Sequence, residues 1–411
     1  MNDKLYINSE RLQSWLTDFA KIGGTPKGGV NRLTLTDLDK QARDWFVVLA
    51  KKAGCSIKID AMGNIFARRS GEDDSLNPIL IGSHIDSQPL GGKYDGIYGV
   101  LAALEAVYSL NDHKIKTDRP IDIVSWTNEE GSRFAPAMIG SAVFSGLTSL
   151  QEGWACTDIS GKTIGEELKR IGYAGKDNFL SYRIHASLEL HIEQGPILEN
   201  NNELIGIVTG ALGQKWYDVE FIGMALHAGT TPMDVRQDAL IGLAEAVIEI
   251  NTIGKNEYPD GRATVGMVKN TPNSRNVISD KALFSVEFRH PSQEGLDRMD
   301  QQLSKKIKQI AEKLNLKFNI TPILSLSPLH FDDTCIEVVR QVSQKLNYPH
   351  RTMVSGAGHD SCNISKIAPT SMIFIPCVKG VSHNEEEEIK PEWMSAGANV
   401  LLNAVIDLSK R

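Results

Sequence analysis

Four short apolar runs constrain this chain most, because each is followed by His, Asp or Glu. They are PILIGSH (78–84), IDIVSW (121–126) leading into TNEE, SLELHI (187–192), and SMIFIP (371–376), which precedes His383 by seven residues. Runs this short and this apolar read as strands buried on both faces of an open α/β sheet. In such sheets the chemistry collects beyond the strand ends. Amphipathic stretches between the runs fit crossover helices. Thr36 is expected to cap one whose apolar stripe is Leu38, Ala42, Trp45, Phe46 and Leu49.

At 411 residues the chain exceeds the usual length of one domain. From about Gly213 the pattern changes to KWYDVEFIG, RATVGMV, ALFSVEFRH and KFNITPIL with helices between, an α+β insert. In ALFSVEFRH, Ala282, Phe284, Val286 and Phe288 alternate with Ser285, Glu287 and Arg289, so one face of that strand is wettable. The expected division is residues 1–212 with 330–411 as the main domain and 213–329 as the insert. The EEEE run at 385–388 reads as a solvated loop.

Composition excludes several classes of function. Apolar residues make up 41% and charged residues 23%, and no run approaches the ~20 apolar residues of a membrane span. A net charge of −7 without a dense basic block argues against a nucleic-acid partner. The five cysteines (Cys55, Cys156, Cys335, Cys362, Cys377) are scattered and form no Cys-x-x-Cys. This fits a reducing compartment rather than a disulfide framework or a thiolate zinc site. MNDKLYINSERLQSW has no basic start followed by an apolar run, so a cytoplasmic protein is expected.

Taken singly, the polar residues after the runs admit bland readings. His84, Asp86 and Asp95 in GSHIDSQPLGGKYDGIYGV fit loop hydrogen-bonding, or a metal-binding His84 with Asp86 bracing its ring or its loop. Glu129 and Glu130 in WTNEEGSRF fit a solvated acidic turn. Alternatively, a cation neutralises Glu130 and leaves Glu129 to move protons. His191 with Glu193 in SLELHIEQGPILE, and His383 in SMIFIPCVKGVSHNE, complete the set. Four such segments in one chain point beyond coincidence to a shared site.

Together GSHIDSQPLGGKYDGIYGV, WTNEEGSRF, ELHIEQGPILE, HAGTTPMDVRQDAL, EFRHP, SGAGHDS and PTSMIFIPCVKGVSH resemble a known family. They are similar to the zinc-dependent amidohydrolases that cleave N-carbamoyl groups: N-carbamoyl-L-amino acid hydrolases, β-ureidopropionases and allantoate amidohydrolases. That family is related to the binuclear metallopeptidases of the aminoacylase and glutamate carboxypeptidase type. The similarity runs from about residue 20 to the C-terminus. It implies an α/β, binuclear metallopeptidase-like catalytic domain with an inserted α+β lid and dimerisation domain.

By position, the resemblance implies two divalent metal ions bridged by Asp95, one held also by His84 and His191, the other by Glu130 and His383. These nitrogen and oxygen ligands suit zinc, and also manganese, cobalt or nickel. Glu129 is implied as general acid/base. His227 of HAGTTPM is implied to complete the site across a homodimer by stabilising the oxyanion, worth about 3 kcal/mol if it equals one oxyanion-hole donor. Gln194, Asn276 and Arg289 match substrate-contacting positions, with Arg289 gripping a carboxylate, and Gly358 lets its loop approach the substrate. His359 and Asp360 fit substrate binding or mutual bracing of their loop. Two departures stand out. Ser279 occupies a position often proline, which affects the loop near Asn276, and Cys377 occupies one often serine, placing an oxidisable thiol near His383.

The implied reaction is metal-dependent hydrolysis of the carbamoyl C–N bond of a small ureido acid, an N-carbamoyl L-α-amino acid or N-carbamoyl-β-alanine. It releases ammonia, carbon dioxide and the amino acid. Allantoate hydrolysis is the nearest alternative. A dipeptidase, or a non-catalytic binder of amino acid derivatives that closes its lid on the ligand, is more distant.

Overall fold

The computed structural model of the protein describes residues 4–177, 179 and 182–410. The chain forms two compact units, one running to Gly210 and resuming at Phe331, the other spanning Ala211–His330. The first unit contributes strands β1 (Ser56–Ile59), β2 (Ile65–Arg69), β3 (Ile79–His84), β4 (Ile121–Trp126), β5 (Ala186–Ile192) and β6 (Ile205–Ala211). The insert carries β7 (Gly213–Ile222), β8 (Arg262–Thr264), β9 (Val268–Thr271), β10 (Lys281–His290), β11 (Lys317–Leu326) and the short β12 (Leu329–His330). The chain then returns through β13 (His350–Ser355) and β14 (Thr370–Ile375).

In the first unit the strand order is β1-β2-β4-β3-β5-β14-β6, with β13 on β6. Its centre is parallel: β4, β3, β5 and β14 run alike, and every residue of these four strands is buried. Complete burial explains why these runs are so largely apolar, with a few buried polar residues such as Asp122 and Glu189 among them. The helix Ile97–Asp112 and the C-terminal helix Pro391–Ser409 are buried along most of their length and joined by the Tyr98 hydroxyl donating to the Met394 carbonyl at 2.6 Å. Gly99 lets the first of these helices lie flat on the sheet, since a Cβ there would stand 2.2 Å from the Leu190 carbonyl oxygen.

The expected helix after Thr36 spans Asp37–Lys52, with the Thr36 side chain accepting from the Asp39 N–H. Its buried stripe differs from the apolar reading. Leu38 is 40% exposed, whereas Asp39 and Arg43 are buried beside Ala42 and Phe46. Asp39 pairs with Arg43 at 2.8 Å and accepts from the Leu35 N–H at 2.7 Å, while Arg43 donates to the Gly63 carbonyl at 2.7 Å. Complementary charges and backbone groups thus cover a stripe that hydrophobicity alone assigns to leucine.

The insert is a two-layer α+β unit with antiparallel order β11-β7-β10-β8 and β9 on β10. Its core joins Val219, Phe221, Phe284, Val286 and Phe288 to Leu243, Leu296, Leu303 and Ile307 of helices Ala239–Asn256 and Gln293–Lys313. The alternation read from ALFSVEFRH holds along β10. Among the described residues no helix is long and apolar enough to cross a membrane, and the cysteines form no disulfide.

Candidate metal centre

In the order β4-β3-β5-β14-β6 the chain leaving β3 runs on to β4 on one side, whereas the chain leaving β5 runs on to β6 on the other, so the two connections depart in opposite directions and open a crevice at the C-terminal ends of β3 and β5. His84 is the last residue of β3 and His191 the penultimate residue of β5. Their rings lie near parallel, with centroids 5.9 Å apart. Glu129 and Glu130 follow the end of β4, Asp95 precedes the helix Ile97–Asp112, and His383 follows β14.

Asp95 joins these residues. Its Oδ1 lies 3.1 Å from His191 Nε2 and 3.5 Å from His84 Nε2, and its Oδ2 lies 3.2 Å from His383 Nε2. His383 Nε2 is in turn 3.5 Å from Glu130 Oε2. Two sets able to hold a cation result, His84–Asp95–His191 and Asp95–Glu130–His383, each with its donor atoms within 4.8 Å of one another. One carboxylate, one oxygen to each set, is the geometry of a bridging ligand.

The ring nitrogens are sorted by their second partners. His84 Nδ1 sits 3.0 Å from the Asp86 carbonyl and His191 Nδ1 2.9 Å from the Ile192 carbonyl, which leaves Nε2 of each ring directed at Asp95. The Asp86 carboxylate is 3.8 Å from His84 Nδ1; its two oxygens accept instead from the N–H groups of Glu129 and Glu130, each at 3.3 Å. Asp86 therefore braces the acidic turn with its side chain and the imidazole with its backbone. Gly96, at φ 68°, clears the His84 ring, whose atoms a Cβ there would approach to 2.3 Å.

Charge balance tests whether this donor set fits a cation. Burial by itself would lower the His84 pKa, but Glu129, Asp95 and Asp86 outweigh it and hold the ring well above the usual imidazole range. Burial by itself would raise Asp95, yet its hydrogen bonds to His191, His383 and His84 hold it well below the carboxylate range. Contact with Asp95 raises His383 to about 9, and burial raises Glu130 to about 7. Glu130 Oε1 is buried with no hydrogen-bond partner, while Oε2 accepts from Gln88 Nε2 at 2.6 Å. The pocket requires positive charge at its centre and keeps a lone pair unused, so the residues fit divalent cations.

Glu129 belongs to neither set. Its Oε2 is 3.5 Å from His84 Nε2, and burial, then Asp360 and Glu130, hold its carboxyl well above the usual range. Asn128, Gln194 and His383, three of the eleven non-glycine residues with positive φ among the described residues, adopt left-handed backbone beside this crevice (φ 59°, 58° and 52°).

Gln194 donates to Asp95 Oδ2 at 2.8 Å. A Cβ on Gly358 would meet Met138 Cε at 3.0 Å, so the loop lies close against that side chain. His359 and Asp360 do not brace each other. The His359 ring packs edge-on to His191 at 4.6 Å, held neutral by burial, and Asp360 accepts from the Ser141 hydroxyl. In the insert, His227 pairs with Val277, and the Ala228 N–H donates to the Asn276 carbonyl at 2.9 Å. His227 Nδ1 accepts from the N–H groups of Gly229 (3.0 Å) and Thr230 (3.3 Å), which puts the proton of the neutral ring on Nε2. Arg289 Nε donates to Glu287 Oε1 at 2.6 Å.

Two expectations need correction. The acidic run is not a solvated loop: Glu387 is 1% exposed, Glu388 pairs with Lys93 at 2.6 Å, and only Glu386 faces solvent freely. Cys377 is not the readily oxidised thiol expected beside His383: it is buried, and burial pushes its pKa up to about 12. Ser279 is satisfied where it stands, its Oγ 2.9 Å from the Thr271 carbonyl. Glu189 escaped sequence reasoning, although its alternation with His191 on β5 puts both on one face. It accepts from the Ser83 and Ser361 hydroxyls at 2.7 Å each.

The profile of peptidase family M20/M25/M40 matches residues 80–407, a range that includes each of these candidate ligand positions. The chain belongs to that family. It is 45% identical over 404 residues to an N-carbamoyl-L-amino-acid amidohydrolase of Rhizobium meliloti, covering 98% of this chain and 97% of the relative. It is 34% identical to a ureidoglycolate hydrolase of Arabidopsis thaliana, covering 98% and 87%. Among solved structures, an amidase of the hydantoinase/carbamoylase family from Burkholderia multivorans superposes with a TM-score of 0.96 at 52% identity, covering 99% of both chains. The M20 membership agrees with the binuclear metallopeptidase fold implied by the motifs.

Proposed function

We propose that this chain is a metal-dependent amidohydrolase that cleaves the carbamoyl C–N bond of N-carbamoyl amino acids: water and the ureido acid give the amino acid, ammonia and carbon dioxide. The observation that carries this reading is the pair of ligand sets sharing Asp95, with Glu129 beside them and outside both. His84, Asp95 and His191 would hold one divalent cation, and Asp95, Glu130 and His383 the other, zinc being the first choice. When bound, such ions polarise the ureido carbonyl, a poor electrophile because two nitrogens donate into it, and acidify water.

The remaining work falls to the chain. Glu129, kept at a high pKa by burial, takes a proton from the attacking water and returns it to the leaving nitrogen. Asp86 keeps Glu129 and Glu130 in place through their N–H groups. His227, protonated at Nε2, is suited to donate to a developing oxyanion. Arg289, Asn276, Gln194 and Gly358 are proposed to contact the substrate, the Arg289 guanidinium donating to the substrate's carboxylate. The insert is proposed to mediate a homodimer, a reading supported by Ile241 and Ile248, exposed seven residues apart on one helix. A cytoplasmic location is proposed on the cysteines, which are free among the described residues and suit a reducing compartment.

A ureidoglycolate-type substrate is the second reading, favoured by the Arabidopsis relative at lower identity. Ammonia release by the metal-reconstituted protein separates the two. N-carbamoyl-L-methionine and N-carbamoyl-β-alanine are expected to turn over faster than allantoate or ureidoglycolate. Silence with all four, metal bound and protein folded, would reject the amidohydrolase reading.

A further inference from the structure

Glu387 lies in a run of four acids, and its neighbours have plain electrostatic roles. Glu385 lies 3.7 Å from Lys27, Glu388 accepts from both Lys93 and Tyr94 at 2.6 Å, and Glu386 is exposed. Glu387 alone is buried, and among the described residues no cation pairs with it. Its carboxylate is held by neutral donors. Oε1 accepts from the N–H groups of Tyr94 at 2.9 Å and Asp95 at 3.0 Å, and Oε2 accepts from the Ser382 hydroxyl at 2.8 Å. Room for it exists because residue 92 is glycine; a Cβ there would fall 1.9 Å from the Glu387 carboxyl carbon.

These contacts tie together loops almost 290 residues apart: the one carrying Asp95 and the one carrying His383. Asp95 has a demanding task, since its two oxygens serve different ligand sets and a small rotation favours one at the expense of the other. Fixing its backbone N–H fixes where its side chain begins. Ser382 Oγ also lies 3.3 Å from Asp95 Oδ2, but its single proton goes to the nearer Glu387. We propose that Glu387 is a positioning residue that keeps the bridging carboxylate Asp95 in register with His383, so that both metal positions form together. This rests on the reading of Asp95 as the shared ligand.

Outer partners of metal ligands change affinity by roughly 10- to 100-fold. Titration calorimetry of Zn²⁺ or Mn²⁺ into the metal-free full chain should show E387A weakened by roughly that factor. Its kcat should fall at limiting metal and recover at saturating metal, with KM unchanged. E387Q keeps an oxygen for the two N–H groups and an amide for Ser382 Oγ, so it should bind metal nearly as the wild type does. E387D keeps the charge but is one methylene too short, and it carries the test if E387A does not fold. Two ions bound by wild type with unchanged dissociation constants in both E387A and E387D would overturn the proposal, even if melting temperatures fell. Fewer than two ions bound by wild type would overturn the shared-ligand reading itself.

Discussion

Glu129 and Glu130 are chain neighbours with different surroundings, and that difference assigns their work. Glu130 has an oxygen 3.5 Å from His383 and another with no partner, whereas Glu129 has an oxygen 3.5 Å from His84 and is raised by burial and the charge of Asp360. Glu129→Gln should leave metal content intact and lower kcat by about two to four orders of magnitude, as for loss of a general acid/base. Ammonia release and metal analysis on one preparation check this, and near-normal turnover would remove Glu129 from the mechanism. Asp60, outside the site, offers a pH test. It accepts from the N–H groups of Met62 and Asn64, yet burial raises its pKa from 3.8 to about 6. A carboxyl raised on folding stabilises while protonated, and that contribution is lost as pH rises through about 4 to 6. The stability of wild type relative to Asp60→Asn should therefore fall across that window, by up to about 3 kcal/mol, as read from denaturation midpoints at each pH.

At the scale of elements, the centre is built by four strand ends and the start of one helix. Residue parity on β3 and β5 sends His84 and His191 to the same side, and the helix Ile97–Asp112 carries Asp95 and Gly96 at its head. That helix sits at its height because Gly99 meets the sheet without a side chain. Gly99→Ala would force it away from the Leu190 carbonyl. The cost should reach about 3 kcal/mol, the upper range for overpacking, because a backbone atom blocks the methyl. The same shift moves Asp95 from His191, so metal affinity should fall together with the denaturation midpoint. Unchanged affinity would mean that the helix does not set the site.

For the whole molecule, the first unit gathers Asp86, Asp95, Glu129 and the half-buried Glu130 around one crevice, where burial raises the pKa of Asp86, Glu129 and Glu130 and so makes their charged forms costly without cations. Ions that bind only the folded chain add about 4 kcal/mol at a thousand times their dissociation constant. Chelation should therefore lower the melting temperature by several degrees, and added zinc or manganese should restore it. A melting curve indifferent to both would sink the metal reading. The insert has its own antiparallel sheet and core, and its wettable β10 face was legible because alternating burial writes a period of two into the residues.

His84, Asp95, Glu130, His191 and His383, which the motif resemblance implies as ligands, are brought together in the fold because each follows or stands near a buried strand, and buried strands leave an apolar signature in the sequence. The α/β class followed from those apolar runs, and the family from the resemblance that the long motifs carry. The tertiary structure alone decided the partners that act across hundreds of residues. Glu387 looks solvated in its run of acids because only folding brings the Tyr94 and Asp95 N–H groups and the space left by Gly92 to it. The Asp39–Arg43 stripe, the role of Glu189 and the left-handed backbone at His383 have the same origin. Hydrophobic periodicity records whether a position is buried, whereas the donors and acceptors that satisfy a buried polar group come from elsewhere in the chain.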